Sequence, residues 1–200
     1  MKAIKWVSGV LCAAACITTT AFAEDDFGIE SASPVTIADP VNPQQGMVAN
    51  AYKINYGGSG DRYKTLTSLN ALAKTAALKT IVDKSDSFTR NILPQNCEAH
   101  SILWEGFIKC KRAATYTFAM SNRNWYSFYA NGKCYVNQCD GQQSVDVELK
   151  VGWNKIAILA YIEYQNNKFE INYKPKSSLS DPRPIAPKDL FHDQKPEEDW

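Results

Sequence analysis

The central part of the chain, residues 104–174, alternates apolar and polar positions with a period of two, which is typical of β-strands. Within it, residues 121–133 form an aromatic-rich run that ends in Asn131-Gly132. This pair reaches the two positive φ angles of a type I′ turn at low energetic cost, so it predicts a β-hairpin. Residues 134–136 are then expected to form the returning strand.

Shorter alternating runs on both sides of the hairpin extend the same pattern. We predict strands over residues 51–56, 102–108, 115–120, 144–149, 156–162 and 168–174, with turns at Asp140-Gly141, Gly152 and Asn166-Asn167. Residues 80–82 and 88–93 are predicted to be short strands or irregular segments. The run 156–162 is almost continuously apolar, which indicates a strand covered on both faces. This spacing predicts a mainly all-β fold, an antiparallel β-sandwich.

One short helix interrupts the strand pattern. It is capped by Thr67-Ser68 and presents Leu69, Leu72 and Ala76 on one side. Because this apolar side is small, we expect the helix to pack on the edge of the sheets.

The N terminus has the composition of an export signal. Lys2 and Lys5 precede an apolar stretch over residues 7–17, and Ala21-Phe22-Ala23 forms an A-x-A cleavage site. The stretch is too short for a membrane span. We predict a Sec-type signal peptide over residues 1–23 and a periplasmic, cell-surface or secreted protein. An alternative is lipidation of Cys16, although Ala13 occupies the position where such sites usually have Leu.

The mature chain is divided by composition into three further parts. Residues 24–50 are predicted to form an extended N-terminal arm, residues 51–190 the sandwich domain and residues 191–200 an acidic tail, with both termini rich in proline. A chain of 200 residues with 44% apolar content is long enough for one domain with a core. The formal net charge of +1 falls to about −1 without the two leader lysines, so electrostatics favours no nucleic-acid partner.

Four cysteines remain after the leader is removed, and an even number in an oxidising compartment indicates two disulfides. Three pairings are possible. We favour Cys97–Cys110 with Cys134–Cys139, because each closes a short loop around a predicted turn. A zinc site is the alternative, but the irregular spacing lacks a CxxC pair.

An ordered set of short motifs runs from about residue 51 to about residue 190. The set comprises Trp104-Glu105-Gly106, Ala114-Thr115-Tyr116-Thr117-Phe118, Ser121-Asn122-Arg123, Tyr129-Ala130-Asn131-Gly132-Lys133, the segment 147–153, and Pro184-Ile185-Ala186-Pro187 with Leu190. Together they resemble the PA14 domain, a β-sandwich module of secreted toxins, glycosidases and adhesins. The resemblance implies a PA14-like sandwich with a binding role.

One departure from that family concerns calcium. The resemblance implies that sugar-binding members hold Ca²⁺ with paired aspartates at positions that are Asn122 and Arg123 here. Calcium needs several oxygen ligands, whereas Arg123 offers none and adds positive charge. Asp140 alone cannot restore that charge, so we predict a metal-independent site and no cofactor.

The sequence contains few residues that could serve as catalytic groups. The only histidines are His100 and His192, and no nucleophile-elbow motif surrounds a serine. The carboxylates that a glycosidase would need are scattered over Asp86, Glu98, Glu105 and Glu163. Ordinary solvated surface explains them, so we predict a protein that is not an enzyme.

Aromatic and amide side chains around the hairpin indicate a binding function more strongly, since such groups bind sugar rings and peptides. The predicted ligand-binding residues are Asn122, Arg123, Asn124, Trp125, Tyr126, Asn137 and Asp140. Aromatic residues in strands are most often core, which is the competing interpretation. We predict an exported binding module that recognises a glycan or a protein partner at the cell surface. Alternatively, it is a structural component of an envelope or pilus-like complex, docked through its Pro-rich arms.

Overall fold

The computed structural model describes residues 37–53, 69–72, 75–162 and 167–194. The predicted signal peptide, residues 24–36 of the arm, the Thr67-Ser68 cap, Asn166 and residues 195–200 lie outside this part of the chain. In the described part, the strands are β1 (Pro43–Gln45), β2 (Met47–Tyr52), β3 (Lys79–Asp83), β4 (Phe88–Thr89), β5 (Ser101–Cys110), β6 (Ala114–Ala130), β7 (Lys133–Leu149), β8 (Gly152–Tyr161), β9 (Lys168–Pro175), β10 (Arg183–Pro184) and β11 (Phe191–Asp193). The helices are α1 (Leu69–Leu72) and two 3₁₀ turns, η1 (Arg90–Ile92) and η2 (Pro187–Asp189).

The strands form an antiparallel sandwich, as predicted. One layer contains β3, β2, β5, β8 and the second half of β6, with β11 and β1 beside the end of β5. The other layer contains the first half of β6 between β7 and β9, and β9 also pairs with β4 and β10. Because β6 and β7 are 17 residues long, they continue from one layer into the other.

The core lies between the layers and is built from the inward positions of the alternating strands. Rings from the two layers meet edge to face or tilted, with centroids 5.4 Å apart for Phe88 and Trp104 and 5.1 Å apart for Phe118 and Phe128. The indole of Trp104 is fully buried and donates a hydrogen bond of 2.8 Å to the buried carboxylate of Asp83. Such a partner removes the penalty of burying an indole N–H.

A second apolar cluster covers the outer face of the first layer. Ile156, Ile158 and Ala160 of β8 face the main core, whereas Ala157 and Leu159 belong to this outer cluster. The prediction that residues 156–162 are covered on both faces is therefore confirmed. Leu72 of α1 packs in the same cluster, so the short helix lies on the face of the sheet rather than at its edge, and Ala76 is exposed.

The Asn131-Gly132 turn has the predicted geometry, with φ angles of 49° and 80°. Its neighbour in space is Asn154, which is fully buried. The Oδ1 atom of Asn154 accepts hydrogen bonds from the Asn131 side chain and the Lys150 backbone N–H, both at 2.9 Å. Its amide nitrogen donates to the carbonyl oxygens of Lys150 and Gly152. One buried amide therefore holds the β6–β7 and β7–β8 turns together.

Several predicted boundaries are wrong. Strand β2 begins at Met47 rather than at residue 51, and β1 lies within the predicted arm. Residues 191–193 of the predicted tail form β11, which pairs with β1 and with Phe107 of β5. β1 and β11 show no apolar alternation, so the sequence pattern does not reveal them. They form strands because they pair with each other and because β11 pairs with β5. Gly106 permits this pairing, since a Cβ atom there would lie 2.8 Å from the carbonyl oxygen of Phe191.

Asp140-Gly141 is not a turn between strands. Gly141 lies inside β7 with a φ of 71° and is paired with Asn122 of β6. Its positive φ is the signature of an irregular strand position, which a sequence cannot distinguish from a turn by residue type alone.

None of the helices in the described ranges is long and apolar enough to cross a membrane.

Candidate functional site

The predicted ligand site lies where β6 crosses between the layers. The pairing of β6 with β7 shifts register between Asn122 and Tyr126, and these two residues face Gly141 and Cys139. The structure thus brings residues 122–126 and 137–142 side by side, but within two bulged strands rather than in loops. Bulges bend a strand and redirect its side chains, which is how one strand serves both layers.

Two of the predicted site residues are buried. Asn122 is 5% exposed, and its Nδ2 donates to the carbonyl oxygen of Tyr161 at 3.3 Å. Its Oδ1 is buried without a hydrogen-bond partner among the described residues. Tyr126 is fully buried, with its ring 5.1 Å from that of Phe169. Tyr126 therefore belongs to the core and cannot contact a ligand in this arrangement, which corrects the sequence-based prediction.

The other predicted residues are only partly described. Asn137 is exposed on β7. The side chains of Arg123, Asn124 and Asp140 lie outside the described part of the structure, so their roles stay predictions.

Trp125 is half-buried and packs against the outer cluster together with Tyr161. Tyr126 is paired with Ala160, so one step along both strands places Trp125 beside Tyr161 at the end of the sheet. The imidazole of His100 lies 5.9 Å from the Tyr161 ring at an angle of 49°. We call these three partly exposed rings, Trp125, Tyr161 and His100, the aromatic rim.

Sequence reasoning did not assign Tyr161 or His100 to the site. The sequence contains one indication for Tyr161. It lies two positions after Leu159 on β8, and side chains two positions apart on a strand point to the same face. What the pattern could not show is that β6 returns to this end of β8, since strand order depends on long-range pairing.

Two carboxylates near the site, those of Glu105 and Glu98, each form an ion pair with a lysine. Glu105 contacts Lys155 at 2.9 Å, and Glu98 is bonded to Lys53. The hydrogen bond from Lys53 and its charge hold the pKa of Glu98 below its ordinary value. Burial, with a smaller contribution from the charge of Glu105, raises the pKa of Tyr52.

The remaining carboxylates of the sequence analysis are Asp86 and Glu163. Asp86 is ion-paired with Lys188, and Glu163 lies outside the described residues. In the described ranges, no cluster of three or more His, Cys, Asp or Glu side chains is placed to hold a metal ion.

The four cysteines are free thiols in the structure, so the predicted Cys97–Cys110 and Cys134–Cys139 bridges are not formed in it. The thiols of Cys134 and Cys139 instead donate to the carbonyl oxygens of Val136 and Asn137, at 3.3 Å and 3.6 Å. Burial raises the pKa of Cys110 and of Cys134. These local hydrogen bonds satisfy the Cys134 and Cys139 thiols without a cross-link.

No protein-family model matches the sequence, and no curated protein is similar enough in sequence to match it.

Solved structures share the fold. The epithelial adhesin 6 A domain of Candida glabrata, in complex with Galb1-3GlcNAc, matches with a TM-score of 0.54 and 14% identity over 84% of this chain and 93% of that chain. The PA14 sugar-binding domain from an RTX adhesin matches with a TM-score of 0.51 and 13% identity over 75% of this chain and 99% of that one. This chain therefore has a PA14-like fold, as the motifs predicted.

A further match is an anti-sigma factor domain-containing protein from Clostridium clariflavum, with a TM-score of 0.52 and 17% identity over 78% of this chain. The alignment spans about half of that protein, 49% of its length.

Proposed function

We propose that this chain is an exported, non-catalytic carbohydrate-binding module whose ligand contacts the aromatic rim. The observation that carries the proposal is the position of Trp125, half-buried beside Tyr161 and His100 at the end of the sandwich. Partial burial holds a ring in place while leaving part of its face accessible.

The rim has the chemistry that a sugar needs. The C–H face of a pyranose packs against aromatic faces, and adjacent polar groups select among its hydroxyls. Trp125 and Tyr161 supply the rings, and the His100 imidazole and the Tyr161 hydroxyl supply polar atoms. Trp125 and Tyr161 stand on strands β6 and β8, and His100 directly precedes β5, so the ligand would meet a rigid surface.

The fold supports the same function. The Candida glabrata adhesin domain was solved with Galb1-3GlcNAc, and the RTX adhesin domain is described as sugar-binding. At 13–14% identity these proteins share the fold, and the transfer of their ligand class to this chain is our inference.

A non-catalytic role agrees with the carboxylates. A glycosidase needs one carboxyl group with a raised pKa as the general acid. The pKa of Glu98 is instead lowered by Lys53, and Asp86 and Glu105 are held in ion pairs.

A glycan array tests the proposal. The mature protein should give selective signals that fall at least about tenfold in Trp125→Ala and in Tyr161→Ala, because a stacking contact at a binding centre contributes more than about 1.4 kcal/mol. Tyr135→Ala is the matched control, since Tyr135 is also half-buried but lies on β7 near the β6–β7 turn, with the Lys133 amino group 5.0 Å from its ring centroid.

Signals that survive both rim substitutions, or that fall equally in Tyr135→Ala, would contradict the rim as the binding site. An array without selective signal, together with a stoichiometric co-purifying protein, would favour the role as an assembly component.

A further inference from the structure

A second surface feature lies away from the aromatic rim, where the C-terminal segment closes the sandwich. A cleft of about 290 Å³ opens between the end of β5, strands β9 and β10, and the segment that leads from η2 into β11. The aromatic rim lies at the other end of β5, where its member His100 directly precedes Ser101, the first residue of that strand. The two features therefore do not share residues.

The cleft has an excess of positive charge. Lys109 and Arg183 line it, both are exposed, and neither forms an ion pair among the described residues. By contrast, six other lysines in the described ranges do pair with a carboxylate. They are Lys53, Lys150, Lys155, Lys168, Lys176 and Lys188.

The one carboxylate that lines the cleft already has a structural role. An oxygen of Asp189 accepts a hydrogen bond of 3.0 Å from the backbone N–H of Ala186 and so caps η2. The amino group of Lys109 lies over the Trp153 ring, 5.0 Å from its centroid, which restrains this lysine beside the cleft. The planar guanidinium of Arg183 is therefore available to bind an anion through two parallel hydrogen bonds.

The remaining lining is apolar and aromatic. Ile108 and Leu190 are buried, while the rings of Tyr173 and Phe191 are half-buried. The volume is at the small end of ligand sites, which suits a molecule of about one ring. An extended peptide would instead need a row of free backbone groups along a strand edge, whereas β10 has only two residues.

We propose that this cleft binds a carboxylate-bearing sugar, a uronic acid, with Arg183 and Lys109 at the carboxylate and the Tyr173 and Phe191 rings at the apolar face of the pyranose. The choice of a sugar as the carrier of the carboxylate rests on the proposed carbohydrate-binding function. The choice of an anion rests on the cleft alone.

Calorimetry on the mature protein with sodium glucuronate tests the assignment, with glucose and sodium acetate as comparison ligands. Glucuronate should bind saturably and more tightly than either. Arg183→Gln should weaken it at least about tenfold, because the two-point, charge-assisted hydrogen bond to the carboxylate is lost. Lys79→Gln, which removes an exposed lysine on β3, is the matched control and should leave binding unchanged.

Each other outcome overturns the assignment in a distinct way. Acetate binding as tightly as glucuronate would show a carboxylate site that does not recognise the sugar. Glucuronate binding lost in Trp125→Ala but retained in Arg183→Gln would move the acid to the aromatic rim, leaving the proposed function intact. No glucuronate binding beside a positive array would likewise remove only the cleft proposal.

Discussion

Single side chains in this protein have properties that their neighbours impose. Tyr129 is an example: it is 9% exposed on the outer face of the sheet, in the same cluster as Leu103 and Leu159. Burial, with a smaller contribution from Cys134, raises its pKa from 10.0 to about 12. A phenol that would titrate near pH 10 in the unfolded chain therefore keeps its proton in the folded one.

This difference makes stability depend on pH. The folded state holds the Tyr129 proton more tightly than the unfolded chain, so the contribution is fully present below about pH 10 and is lost as the pH rises through about 12. A pKa raised from 10.0 to about 12 corresponds to up to about 3 kcal/mol of stability. Urea denaturation of the wild-type protein and Tyr129→Phe between about pH 8 and about pH 12 should show a smaller alkaline loss in the variant. Equal losses would contradict the assignment of this shift to Tyr129.

At the scale of elements, turns are held by buried polar groups as well as by their own residues. The positive φ angles of Asn131 and Gly132 form the β6–β7 turn, but Asn154 connects that turn to the one between β7 and β8. A fully buried amide with all of its hydrogen bonds made contributes to stability, and its removal leaves buried backbone groups unpaired.

We therefore expect Asn154→Ala to lower the free energy of unfolding by about 3 kcal/mol, because several buried hydrogen bonds are lost at once. Asn137→Ala, at an exposed position of β7, should change it by less than about 0.5 kcal/mol. Chemical denaturation of both variants measures the difference. A denaturant midpoint for Asn154→Ala equal to that of Asn137→Ala would show that the hydrogen bonds of Asn154 are not needed for stability.

At the scale of the whole molecule, the sandwich is completed by residues from both ends of the described chain. β1 pairs with β11, and β11 pairs with β5. Ile185, Ala186, Leu190 and His192 are all buried, so the Pro-rich C-terminal segment is part of the domain rather than an appendage.

Leu190→Ala tests this integration. Leu190 is 1% exposed, and truncating a buried leucine costs about 2–5 kcal/mol. Leu179→Ala is the control in the same segment, because Leu179 is fully exposed and its truncation should have an effect within about 0.5 kcal/mol. Similar melting temperatures for the two variants would show that the C-terminal segment does not stabilise the sandwich.

The sequence by itself determined the features that depend on local pattern. Alternation with period two located the strands, continuous apolarity marked β8 as covered on both faces, and Asn131-Gly132 located a type I′ turn. These features are readable because each residue's own backbone preference and polarity agree with its place in the sheet. The ordered motifs were enough to indicate the PA14-like fold for the same reason.

Only the tertiary structure decided which side chains share a surface. The local pattern predicts Tyr126 as a ligand contact, but the side chain is buried against Phe169, because bulges in β6 turn the strand from one layer into the other. Trp125 and Tyr161 are 36 positions apart in the chain and become neighbours only through the pairing of β6 with β8. Lys109 of β5 and Arg183 of β10 line the same cleft in the same way, although β10 pairs with β9 and β5 pairs with β8 and β11. Strand order and register set these distances, and neither is encoded in the local pattern of a single strand.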